Sequence, residues 1–147
     1  MKNPYTFGEL LYLRSPSLED VEGEWHEWFS DDKLTRWLTI HNFPNSKEKQ
    51  LDFFNSIKDS KEKLVLSIID KASDKHIGVV SLSAINFISR TCEIAIIIGD
   101  SNFQKGTYLI EAYLLIIKIA FLRLNLRKIT SYFKAYLLKS FMHKSDP

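Results

Sequence analysis

The stretch EIAIIIGDSNFQKGTYLIEAYLLIIKIAF, residues 93–121, changes character at Gly99-Asp100. Upstream, Ile94 to Ile98 is a short run of mostly β-branched residues, the composition of a strand buried on both faces. Downstream, Tyr108 to Leu122 is almost continuously apolar, broken only by Glu111 and Lys118. That run falls short of the roughly 20 residues a bilayer needs, so it predicts a buried helix. Strand, turn and long helix in that order predict a β-α-β crossover if another strand follows. LNLRKITSYF (124–133) supplies it, as a parallel neighbour of the strand before the helix.

Working back toward the N-terminus, residues 63–100 read as three strands separated by DKASDK (70–75) and ISRT (88–91). Both connections are of hairpin length, so these strands should be antiparallel. SKEKQLDFFNSIKDS (46–60) predicts an amphipathic helix capped by Ser46, with Leu51, Phe54 and Ile57 or Lys58 bounding its buried face. SLEDVEGEWHEWFSDD (17–32) predicts another, with Ser17 as N-cap and Asp20 in the capping-box place. Its stripe of Val21, Trp25, Trp28 and Phe29 reads as core, as aromatic stripes at helical spacing usually do. GELLYLRSP (8–16) reads as a first strand ended by Pro16, and YLLKSFMHK (136–144) as a last short helix. The order β, α, α, β, β, β, α, β, α gives an α+β fold: a mixed, mostly antiparallel sheet with helices on both faces.

At 147 residues the chain fits one domain, residues 1–147. A formal charge of +2 without an evident basic stripe argues against nucleic acid, and no apolar run suits a membrane. The lone Cys92 excludes an intrachain disulfide. His26, His41, His76 and His143 show no ligand spacing, so no metal site is read. The N-terminus MKNPYTFGEL carries no signal-peptide apolar run, and the expected compartment is cytoplasmic.

Residues 7–133 resemble the acyl-CoA N-acyltransferases of the GNAT superfamily. The likeness is strongest to the branch acting on ribosomal-protein N-termini, polyamines and amino sugars. YLRSPSLEDVEGEWHEWFSDDKLTRWL is similar to that branch's opening strand and helix, KHIGVVSLSAIN to its third strand, and EIAIIIGDSNFQKG to its cofactor strand and loop. The family signature, Gln/Arg-x-x-Gly-x-Gly/Ala, opens the helix after the fourth strand. Aligned without gaps, Gln104 takes its first position, Thr107 and Leu109 stand where the glycines belong, and Gly106 falls one residue early.

The resemblance implies acetyl-CoA as cosubstrate, with its diphosphate over the first helical amides of Gln104, Lys105, Gly106, Thr107, Tyr108 and Leu109. A helix N-terminus favours an anion because its amides and dipole both point outward. The resemblance also implies pantetheine pairing with the main chain of Ile96, Ile97 and Ile98, and transfer of acetyl to a primary amine. Glu93 matches the family's strand glutamate and is the implied base. Trp37, His41, Asn42 and Phe43 would bind a small-molecule or peptide amine, which the acidic Glu24 and Glu27 would attract. The family's acid is a tyrosine in the last short helix; Phe141 falls on that position, with Tyr132 and Tyr136 nearby. The pattern's final strand is missing, which implies an open edge and a homodimer. The departures at Thr107, Leu109 and Phe141 keep a second reading open: a catalytically impaired or inactive relative that binds coenzyme A weakly or serves as an interaction module.

Overall fold

The computed structural model describes residues 1–35 and 44–131. Its centre is one sheet whose strands lie side by side in chain order: β1 Thr6–Phe7, β2 Leu11–Arg14, β3 Leu64–Asp70, β4 His76–Asn86, β5 Thr91–Ile98 and β6 Lys128–Ser131. Neighbours are antiparallel except β5 and β6, which are parallel. The crossover between those two is α5, Gly106–Lys118, prolonged by a wide π-turn over Ile119–Arg123.

Period-two alternation divides β5 between two cores. Cys92, Ile94, Ile96 and Ile98 join Leu109, Ala112, Leu115 and Ile116 of α5 on one face. Ile97 turns the other way, with Val65 and Val79, to meet Val21, Trp25, Trp28 and Phe54. Those last four residues come from α1 Leu18–Glu22, α2 Trp25–Ser30 and α4 Lys47–Ile57. A mixed sheet covered on both faces is therefore the observed architecture.

Three local readings are corrected. The strand read over 8–16 begins only at Leu11: residues 8–10 form a turn, in which the Gly8 amide closes on the Leu11 carbonyl at 2.9 Å, joining β2 to the short β1 before it. The helix after Ser17 stops at Gly23 and restarts as α2, then α3 Asp32–Thr35. Ser17 and Asp20 do form the capping box, and Ser46 does cap α4 through the Lys49 amide. On α4, however, the buried residues are Gln50 and Phe54, and Leu51 is 38% exposed.

Gly99 follows β5 because nothing larger fits. A Cβ there would lie 2.1 Å from the Trp28 ring, and Trp28 is itself buried. Gly99→Ala should therefore lower stability by about 1–3 kcal/mol through overpacking. A melting temperature equal to wild type would show that the Trp28 ring is free to move aside.

Candidate functional site

The entrance to α5 is built from ordinary helix chemistry. Asp100 caps a short 3-10 turn, Ser101–Phe103, by accepting the Asn102 amide at 3.0 Å. Lys105 is then extended and α5 begins at Gly106. The first intrahelical bond runs from the Leu109 amide to the Lys105 carbonyl at 3.2 Å. The amides of Gly106, Thr107 and Tyr108 precede it and have no intrahelical acceptor. They form a concentrated donor set at the positive end of a 13-residue helix.

Two of the residues expected here do something else. Leu109 is 1% exposed and packs in the core beneath α5, and its amide is used by Lys105. It neither obstructs the entrance nor contributes a donor to it. The Tyr108 side chain leans against Phe103, ring centroids 5.4 Å apart, and its hydroxyl donates to Asp70 Oδ1 at 3.0 Å. Burial, then that bond, raises the Tyr108 pKa, so the phenol is anchored to the sheet. Lys105 and Thr107 are exposed.

Main-chain parity decides which part of Ile96 to Ile98 faces outward. The Gly99 amide donates to Ile77 on the β4 side at 2.8 Å, and the Ile97 carbonyl points at Gly78 so closely that a Cβ there would sit 2.3 Å from it. Ile97 thus spends its main-chain groups on β4, and those of Ile96 and Ile98 face the β6 side. The described β5–β6 register ends at Ile94↔Ser131, before Ile96. Gln104 reaches this edge: its Nε2 donates to the Ile98 carbonyl at 3.0 Å, tying the α5 approach to the strand end.

Glu93 lies across from Ser83 on β4 and Thr130 on β6. Paired residues share a sheet face, so a carboxylate stands between two hydroxyl residues in one row. Ser81 and Ala95 form the next row. Glu93, Ser83, Ser81 and Ala95 are all partly exposed, whereas Val79 and Ile97 further along are buried under the tryptophans. The face is small and polar at the Glu93 end and closed at the Gly99 end. A period-two reading of SLSA against CEIA would have found these serines, but only with the register known.

Beneath α1 and α2 lies a buried polar network. Asp20, 4% exposed, accepts both Arg14 guanidinium nitrogens at 2.8 Å, the Ser67 hydroxyl at 2.7 Å and the Ser17 amide at 3.0 Å. His76 Nδ1 is 3.5 Å from its Oδ1. Burial alone would raise the Asp20 pKa, but the Arg14, His76, Ser17 and Ser67 interactions outweigh it and bring it to about 2. His76 stands between Trp25 and Trp28, with ring centroids at 6.2 Å and 4.9 Å, and its Nε2 is buried without a hydrogen-bond partner. Burial lowers its pKa despite the Asp20 charge. Trp25 and Trp28 are 0% and 5% exposed, so they wall the site from within, while Glu24 and Glu27 are exposed on the adjoining surface.

Trp37, His41, Asn42, Phe43, Tyr132, Tyr136 and Phe141 lie outside the described residues. Among the described residues no group of three His, Cys, Asp or Glu side chains could hold a metal ion, and no helix is long and apolar enough to cross a membrane.

Comparison with known proteins gives a consistent result. A family model described as an acetyltransferase (GNAT) domain matches residues 11–140. A spermidine N-acetyltransferase from Vibrio cholerae, solved with CoA and spermine, is similar at 22% identity and a TM-score of 0.72, over 83% of this chain and 70% of that one. An acetyltransferase of the GNAT family from Bacillus anthracis is similar at 23% identity and a TM-score of 0.71, over 86% and 71% of the two chains. No curated protein sequence matches.

Proposed function

The chain belongs to the GNAT acetyltransferases, and from that premise we propose that it transfers an acetyl group from acetyl-CoA to a primary amine. The observation that carries the reading is the α5 entrance, where Leu109 is turned into the core and the amides of Gly106, Thr107 and Tyr108 precede the first intrahelical bond. The donor set suits a diphosphate, which needs several N–H groups and a positive dipole without a crowding side chain. Thr107 adds a hydroxyl, and the exposed Lys105 adds a charge. Bound there, the cosubstrate supplies an acetyl group activated as a thioester.

The chain's own residues supply the remainder. The outward main-chain groups of Ile96 and the Ile98 amide are suited to pairing with an extended amide-bearing tail, a task that makes no demand on side chains. Gln104 already caps the Ile98 carbonyl, which directs that pairing to Ile96. Glu93 would accept a proton from the incoming ammonium, directly or through a water, so that the free amine can attack the thioester carbonyl; the C–S bond then breaks and the coenzyme A thiolate leaves, taking up the second proton that the nitrogen sheds. Ser83 and Thr130 on either side can hold such a water. The exposed Glu24 and Glu27 favour a cationic acceptor. The spermine bound in the similar Vibrio cholerae structure belongs to that protein; for this chain a small or peptide amine is the class proposed. A cytoplasmic setting, and a homodimer across β6 as the outer strand of the described sheet, go with this reading.

Thermal shift with acetyl-CoA is the first test. At about a hundred times its dissociation constant the ligand should stabilise the fold by about 2.7 kcal/mol. Glu93→Gln should keep that shift and lose turnover on an amine panel by at least about a hundredfold. No shift at millimolar acetyl-CoA removes the reading altogether. A shift with undiminished Glu93→Gln turnover removes only the base.

A further inference from the structure

We propose that the end of the molecule formed by the β4–β5 hairpin tip and the loop entering β6 docks on an anionic lipid surface. The hairpin tip presents Phe87 at 55% and Ile88 at 97% exposure, and the neighbouring π-turn presents Leu122 at 73%. Nothing in the turn geometry requires apolar residues there, since polar side chains would satisfy the same backbone. Asn86 collects the Ile88 and Ser89 amides at 2.9 and 3.0 Å, so the tip is held in shape with both apolar side chains outward.

The two loops act as one platform. The Arg127 and Lys128 amides both donate to the Arg90 carbonyl, at 2.8 and 3.2 Å, and Arg127 Nε donates to the Ser89 carbonyl at 2.9 Å. Arg90 in turn donates to Asn125 through Nε at 2.8 Å and a second nitrogen at 3.0 Å. Arg90 and Asn125 both hold positive φ, 61° and 55°, a conformation that costs energy in each and is maintained by this mutual grip. The result is an apolar tip bordered by exposed Arg90, Arg127 and Lys128, while Arg123 turns away to stack on Tyr5. The Ile85 amide brings in the segment before β3 through Glu62; there Asp59 and Glu62 are interspersed with Lys58, Lys61 and Lys63. The modest net charge of the whole chain conceals this local accumulation of cations.

Charge and size together select the partner. A stable protein interface buries on the order of 800 Å² per side, far more than three apolar side chains offer. An anionic bilayer needs only a few inserted apolar groups with cations at headgroup level. The two most exposed of these side chains, Ile88 and Leu122, are aliphatic and offer no planar stacking surface, which makes RNA the poorer fit.

The test is co-sedimentation of the full chain with phosphatidylcholine vesicles containing about one third phosphatidylglycerol, at low ionic strength. The protein should pellet with these vesicles and several-fold less with phosphatidylcholine alone. Ile88→Asp and Lys128→Glu, both at exposed side chains, should each reduce pelleting several-fold with an unchanged melting temperature. Wild-type protein remaining in the supernatant overturns the proposal, as does Ile88→Asp pelleting like wild type. Self-association lost in Ile88→Asp without vesicle binding assigns the surface to a second copy instead.

Discussion

Arg14→Ala is expected to destabilise the fold by about 3–5 kcal/mol, the range for removing one partner of a buried ion pair. The guanidinium fills two of the bonds that keep the Asp20 carboxylate charged inside the molecule. Without it, Ser67, the Ser17 amide and a His76 whose pKa burial depresses face a buried anion. Urea unfolding at neutral pH measures the loss, and a change below about 1 kcal/mol would mean that water replaces the guanidinium. The same network sets the acid limit of the wild type. Asp20 has a folded pKa near 2 against an ordinary 3.8. Because the folded value is the lower, its contribution is complete above about pH 4 and is lost as pH falls toward 2, about 2 kcal/mol in all. The lowered His76 pKa acts in the same sense but earlier: its contribution begins to fall as pH drops below the unfolded value of 6.5. Stability should therefore decline in two stages on acidification. His76→Gln should remove the upper stage and shrink the lower, because the His76 charge is one of the interactions that hold the Asp20 pKa down.

Glu111→Ala should cost about 3–4 kcal/mol, the second large loss, from a residue remote from any chemistry. Its carboxylate accepts the Glu9 amide at 2.8 Å and the Leu10 and Leu11 amides at 2.9 Å each. Bonds to a charged acceptor contribute more than neutral ones, and only the Glu9 site is solvent-exposed enough for water to take over cheaply. Gly8 makes the arrangement possible, since a Cβ there would meet Glu111 Cδ at 2.6 Å. Glu111→Gln should recover part of the loss, because its carbonyl oxygen still accepts while its amino group faces donors. A melt in which alanine and glutamine variants both match wild type would leave the clamp without energetic weight.

The sequence made legible whatever depended on neighbours in the chain. Short β-branched runs, hairpin-length turns and the long apolar run made the antiparallel core, the crossover and the parallel β5–β6 pair readable. Ser17 and Ser46 were legible as caps because capping involves three or four successive residues. The turn at Gly8–Leu10 and the short β1 before it were not, because a long-range contact decides them; the break at Gly23 was passed over although its bonds are local. The β1–β2 turn is shaped around a carboxylate about a hundred positions away. The Asp20 network draws on β2, α1, β3 and β4, and no spacing pattern spans those four elements. At the candidate site, the motif led to the α5 entrance, where Gln104 meets the Ile98 carbonyl, while it gave Leu109 a position without a direction. The helix phase decides that direction, and it turns Leu109 toward Ile96 and Ile98.

Because Glu111 joins the chain about a hundred residues after the turn it holds, a polypeptide emerging amino end first must wait for its own later portion. At about 5–20 residues per second, that interval is roughly 5–20 s. During it the opening hairpin has strand partners to find but no carboxylate to anchor its turn.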